Sequence, residues 1–151
     1  MEENITKSII VKADVQRVYN AWSNFQNFPR FMKNIKSVEM TGPKTSHWEM
    51  EGPLGIDVKW EAETTTAEPG KRIGWSTKDR DEGNLTTSGQ VTFNQLGNGE
   101  TEVVATVHYQ TRAGLPGDLV ARLMGDPEKK LEEDLYNFKE YIEGSMTGQQ
   151  M

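Results

Sequence analysis

At 151 residues the chain has the length of one domain with room for a substantial core, and 34% hydrophobic residues with 14 glycines suit a folded domain rather than disorder. A net charge of −6, with no basic cluster interleaved with aromatics, excludes nonspecific nucleic-acid binding. With no cysteine there are no disulfides, thiolate nucleophiles or cysteine metal sites.

Residues 4–12 read as a first strand, its phase left open by the adjacent Ile9 and Ile10. Asp14 is an expected N-cap, followed by Val15, Val18, Tyr19 and Trp22 at the spacing of one helix face. A second short helical stretch holds Phe25, Phe28, Phe31, Met32 and Ile35 around Pro29. Residues 36–111 then read as a meander with strands at 37–41, 46–51, 56–66, 72–77, 86–94 and 101–111. Turn residues separate them: Gly42-Pro43, Gly52-Pro53, Pro69-Gly70, Asp81 to Asn84, and Gly97-Asn98-Gly99. Short connections predict hairpins and an antiparallel order.

Within these strands apolar and water-facing residues alternate. Ile56, Val58, Trp60 and Ala62 oppose Asp57, Lys59, Glu61 and Glu63; Val103, Ala105, Val107 and Tyr109 oppose Glu102, Thr106 and His108. Period two marks strands packed on one face and wet on the other.

Gly114 to Gly117 is an expected loop, followed by a short apolar helical piece with Leu119, Val120, Leu123 and Met124. Gly125-Asp126-Pro127 is expected to kink or split the closing helix. Leu131, Leu135, Phe138 and Ile142 then form one stripe. Its flanking charges, among them Lys130, Glu132 and Lys139, are expected on the solvated side, where replacing Glu132 or Lys139 should matter little. Residues 1–143 form the expected single domain, and 144–151 a polar tail, frayed or the remnant of an epitope tag. No apolar run approaches the roughly 20 residues that span a bilayer. The acidic start, Met1 to Asn4, lacks the regions of a signal peptide, so the expected location is cytoplasmic.

A broad sheet face with a single helix to cover it implies a cavity, whose inward candidates are Trp48, Met50, Trp60, Trp75, Val91, Phe93 and Tyr109, with Leu123 and Met124 from the segment before the last helix. Apolar walls carrying a few polar handles are the usual lining of small-molecule sites. Phe28, Phe31 and Met32, with Leu119 and Val120, are the expected gate. His47 and His108 fall on the wet face without metal-ligand spacing, so no metal or cofactor is expected. There is no Gly-x-Ser-x-Gly elbow and no phosphate-binding glycine loop, and no catalytic residue is assigned.

The order of elements, together with Val18-Tyr19-Asn20-Ala21-Trp22, the segment Phe28 to Val38 and the closing segment Leu131 to Glu143, resembles the START-like (SRPBCC) superfamily. The likeness is to its polyketide cyclase/dehydrase and coenzyme Q-binding branch, and it covers roughly residues 4–143. The resemblance implies an α+β helix-grip fold. In it a curved antiparallel sheet of about seven strands surrounds a long C-terminal helix, with two short helices after the first strand. It also implies an apolar cavity. The leading functional expectation is noncatalytic binding of a hydrophobic small molecule (lipid, quinone or polyketide-like). One alternative is a polyketide cyclase or dehydratase, with Tyr109 as acid/base and Arg72 or Arg112 as oxyanion partner. It depends on whether a further titratable group enters the cavity. Another is an interaction protein using the apolar segment 25–32.

Overall fold

The computed structural model of the chain describes residues 2–51, 57–77, 85–111 and 127–150. Seven strands form one antiparallel sheet: β1 (Glu2–Val11), β2 (Ile35–Met40), β3 (Thr45–Glu51), β4 (Asp57–Glu68), β5 (Arg72–Thr77), β6 (Leu85–Gln95) and β7 (Thr101–Thr111). Their order across the sheet is β1-β7-β6-β5-β4-β3-β2. Each of β2 to β7 lies beside its sequence neighbour, so the meander accounts for every pairing except β1 with β7. Register shifts in β2 between Ile35 and Ser37, and in β4 between Thr64 and Thr66, interrupt the ladder. An extra residue on one strand bends it and strengthens the local twist, which curves the sheet.

Between β1 and β2 stand helix α1 (Val15–Ser23) and a 3-10 helix (Phe25–Arg30). The Asp14 carboxylate caps α1 by accepting from the Gln16 and Arg17 amides at 3.0 and 3.1 Å. Thr101, fully buried, donates its hydroxyl to the Ala13 carbonyl at 2.7 Å and ties this corner to β7. The ambiguous phase of β1 resolves with Ile5 and Val11 buried, Ile9 packed at the core margin and Ile10 exposed. The Gly97–Gly99 turn joins β6 to β7 with Asn98 and Gly99 at φ 64° and 72°. Asn and Gly are the residues that tolerate this left-handed region.

The closing helix α2 is described over Pro127–Gln150. The expected helical piece with Leu119, Val120, Leu123 and Met124 lies outside the described residues, as does Arg112. Toward the other end the backbone helix continues to Gln150 rather than ending at residue 143. Leu135, Phe138 and Ile142 are buried. Phe138 meets Trp22 edge-on at 4.8 Å and Phe31 at 5.3 Å, so α2 grips the sheet through the aromatic knot of α1 and the 3-10 helix.

Two charged residues on α2 depart from expectation. Lys139 donates to the Ile10 carbonyl at 2.9 Å and to Glu143 at 2.6 Å. Glu143 in turn accepts from the Lys12 amide at 2.9 Å, so Lys139 is an anchor between α2 and β1 rather than a solvated flank. Lys130 also leaves the wet side and enters the pocket described next. Glu132 stays exposed, paired with Lys7 at 2.8 Å.

Candidate functional site

A pocket of about 190 Å³ lies between the concave sheet face, the 3-10 helix and the start of α2. Strand alternation builds its floor. Trp48 on β3 and Trp60 on β4 are directly opposed in register, and their rings stack at 5.8 Å with only 12° between planes. Val91 on β6 and Ala105 and Val107 on β7 continue the wall, while Phe28 and Met32 close it from the helical side. Trp22 and Trp75 also reach the pocket, so all four tryptophans of the chain line it.

Trp75 owes its place to Gly89. The two residues are paired across β5 and β6, and a β-carbon at Gly89 would stand 2.9 Å from the Trp75 ring. The polar handles are few. Trp48 donates its indole N–H to the Ser46 hydroxyl at 2.8 Å, so that donor is already satisfied within the protein. The buried Thr77 hydroxyl donates to the Thr87 carbonyl at 3.0 Å and accepts from the Thr87 amide at 2.6 Å, closing the ladder beside Thr87, which also lines the pocket.

Of the residues predicted to line a cavity, Trp48, Met50, Trp60, Trp75 and Val91 are brought together here. Phe93 is placed elsewhere: it packs edge-on against Tyr19 at 5.6 Å and Trp22 at 6.4 Å, as core beneath α1. Tyr109 sits on β7 with its side chain outside the described set. Leu123 and Met124 lie outside the described residues altogether. Of the expected gate, Phe28 and Met32 border the pocket, Phe31 is buried against Phe138 and Tyr141, and Leu119 and Val120 lie outside the described residues. Arg72 pairs with Glu68 at the β4–β5 turn instead of facing the pocket. Within segment 25–32, Phe28 and Phe31 are buried, while Phe25 and Met32 are only partly covered.

Sequence reasoning missed Trp22 and Phe25 on the pocket wall, and also two titratable residues there, Lys130 and Asp134, one turn apart on α2. The Lys130 ammonium lies 3.8 Å from the Met50 sulfur. Withdrawal from water lowers its pKa, against the pull of Asp134 and Glu133. The same withdrawal pushes the Asp134 carboxyl up to about 7, opposed by Lys130 and reinforced by Glu133. A carboxyl near half-protonation at neutral pH is suited to give and take protons. Sequence held one faint signal: at roughly 100° per residue Asp134 stands about 70° from the apolar stripe, near enough to be drawn under the sheet.

On the opposite face of β3 and β4, the His47 ring lies between Glu61 at 2.5 Å and Glu49 at 3.3 Å. Burial disfavours its protonation, but the two carboxylates outweigh that and raise its pKa. Among the described residues no group of three His, Asp or Glu side chains could hold a metal ion, and no helix is long and apolar enough to cross a membrane.

A family model described as polyketide cyclase/dehydrase and lipid transport matches residues 11–135. The chain is 29% identical over 150 residues, 95% of its length and 93% of the relative's, to an uncharacterized 17.2 kDa protein in the melC2-rnhH intergenic region of Streptomyces lincolnensis. A START superfamily protein from Mycobacterium smegmatis superposes with a TM-score of 0.75 at 16% identity, over 93% of this chain and 97% of that one. The Zhui aromatase/cyclase from Streptomyces sp. R1128 does so with 0.74 at 17% identity, over 95% and 94%. These likenesses establish the helix-grip fold.

Proposed function

The chain belongs to the polyketide cyclase/dehydrase and lipid transport family, and from that premise we propose that it binds a hydrophobic small molecule (lipid, quinone or polyketide-like) in the pocket between sheet and α2. The observation that carries this reading is the wall itself: four tryptophans, with Phe28, Met32, Met50 and Val91, around a space of about 190 Å³. Removing apolar ligand surface from water yields about 25 cal/mol per Å² before ordering costs, and the parallel Trp48–Trp60 pair offers a planar ligand a flat surface. In this reading the protein works in the cytoplasm. Native mass spectrometry of protein purified from its own host tests it. A retained apolar molecule of constant mass, lost when Trp60 and Val91 are replaced by charged residues, is the expected result. Ligand-free protein that also fails to bind planar apolar probes would overturn it.

A second reading, catalysis by a cyclase or dehydratase in the same pocket, is favoured by one observation: Asp134, a titratable group, lines the pocket with its pKa near neutrality. It predicts that Asp134→Asn retains ligand binding and loses turnover of a poly-β-carbonyl substrate. Equal turnover by the variant would remove Asp134 as the acid/base.

A further inference from the structure

We propose that Lys130 is an amine nucleophile that condenses reversibly with the carbonyl carbon of an apolar aldehyde or ketone held in the pocket. This rests on the ligand-binding reading above and narrows its ligand class to carbonyl compounds.

The placement of Lys130 is unlike that of the chain's structural lysines. Lys7, Lys36 and Lys139 each have a carboxylate oxygen within 3.0 Å. Lys130 is half-buried on an apolar wall, and among the described residues its amine meets the Met50 thioether and makes no ion pair. A thioether is a weak acceptor and does little to hold a proton on nitrogen. An amine kept from water is disfavoured as the cation, and the neutral form carries the nucleophilic lone pair. Trp48, Met50, Trp60 and Leu131, which line the same pocket, would hold an apolar carbonyl compound within it.

Asp134 supplies the proton traffic that condensation needs. The Lys130 lone pair attacks the carbonyl carbon, forming a C–N bond as the C=O π pair moves to oxygen. A proton passes from nitrogen to that oxygen to give the carbinolamine. The protonated Asp134 carboxyl then donates to the hydroxyl, the C–O bond breaks and water leaves as the nitrogen lone pair forms C=N. The resulting iminium returns its proton to Asp134. One amine and one carbonyl give one imine and one water, with Asp134 restored and no oxidant or reductant consumed.

The test uses the full chain with two probes of one shape, 2-naphthaldehyde and 2-naphthalenemethanol. Quenching of tryptophan emission by the alcohol reads pocket binding without chemistry. The aldehyde with sodium cyanoborohydride traps an imine as a stable amine, located by peptide mapping of the unsubstituted protein. The expected result is quenching by the alcohol, and an aldehyde adduct that forms at Lys130 at least about tenfold faster than at any other amine and is suppressed by excess alcohol. Lys130→Arg, its folding checked by thermal unfolding, loses that adduct, and Asp134→Asn slows it about tenfold or more. Quenching with adducts absent, or spread over exposed lysines and the α-amino group, would overturn the nucleophile and leave the binding reading standing. An alcohol that does not quench would overturn both. Equal trapping rates in Asp134→Asn would remove Asp134 from the step.

Discussion

A methyl group at Gly89 would clash with the Thr106 carbonyl oxygen and lie 2.9 Å from the Trp75 ring. Neither neighbour can yield cheaply: one is backbone in the adjacent strand, the other a large ring on the pocket wall. Gly89→Ala should therefore cost about 1–3 kcal/mol through overpacking and shift Trp75 emission, checked by urea unfolding followed by tryptophan fluorescence. An unchanged midpoint and spectrum would mean that Trp75 is not wedged against β6. Asp134 carries a pH signature at the same scale. Burial lifts its folded pKa from the ordinary carboxylate value of 3.8 to about 7, so the folded state binds the extra proton and stability falls as pH rises between these two values. Each unit of difference is worth about 1.4 kcal/mol at most. Lys130 and Glu133 are the charged groups that couple to it on α2, and the facing sheet residues Ser46, Trp48, Met50 and Thr64 carry no charge. Asp134→Asn should unfold near the wild-type temperature at pH 4, and progressively above it up to pH 7. A constant difference across that range would place the carboxyl in water.

At the scale of elements α2 is held in two different ways. Its apolar stripe inserts Leu135 and Phe138, at 1% and 0% exposure, beneath the sheet. Leu135→Ala should cost on the order of 2–5 kcal/mol, and an unfolding midpoint equal to wild type would show the stripe is not what docks the helix. The second attachment is polar: Lys139 and Glu143 satisfy the Ile10 carbonyl and Lys12 amide at the end of β1. Lys139→Ala should thus cost about 1 kcal/mol, whereas Glu132→Ala, removing an exposed ion pair, should change stability by less than about 0.5 kcal/mol. Comparable losses from both would mean the Ile10 contact adds nothing. These contrasts also mark where sequence was readable. Period two placed Trp48, Met50, Trp60, Val91, Val103 and Ala105 inward because a strand has only two faces, and a one-residue slip would have buried charge. The helix stripe was equally legible from its spacing. A helix has a graded circumference, so Lys130, Asp134 and Lys139 could not be sorted from their solvated neighbours by residue type: each buries part of itself because of what the sheet presents opposite. Phe93 faced inward as expected, but α1 covers that stretch of the sheet, and no local pattern says where one covering helix stops and the pocket begins.

For the molecule as a whole, the fold separates a wet acidic exterior from an interior whose four tryptophans all face one space. Glu49, Glu61 and His47 occupy the outer face of β3 and β4, while the residues alternating with them, Trp48, Met50, Trp60 and Ala62, line the pocket. Since Trp22, Trp48, Trp60 and Trp75 are the only tryptophans in the chain, a ligand in the pocket must perturb the entire indole emission and cannot hide behind a distant reporter. The same ligand bridges α2, the 3-10 helix and strands from β3 to β7, so occupancy opposes global unfolding. At a free concentration of 100 times Kd, a planar neutral apolar probe should stabilise the fold by about 2.7 kcal/mol. For a domain of this size that is a rise in Tm of roughly 5–10 °C. The two readouts should titrate together and give one Kd, by emission at fixed temperature and by the concentration dependence of Tm. A probe that quenches without raising Tm would be associating with unfolded or surface-exposed apolar groups. One that raises Tm without touching the emission would be bound outside the tryptophan-lined pocket, and either result would break the link between this pocket and the ligand.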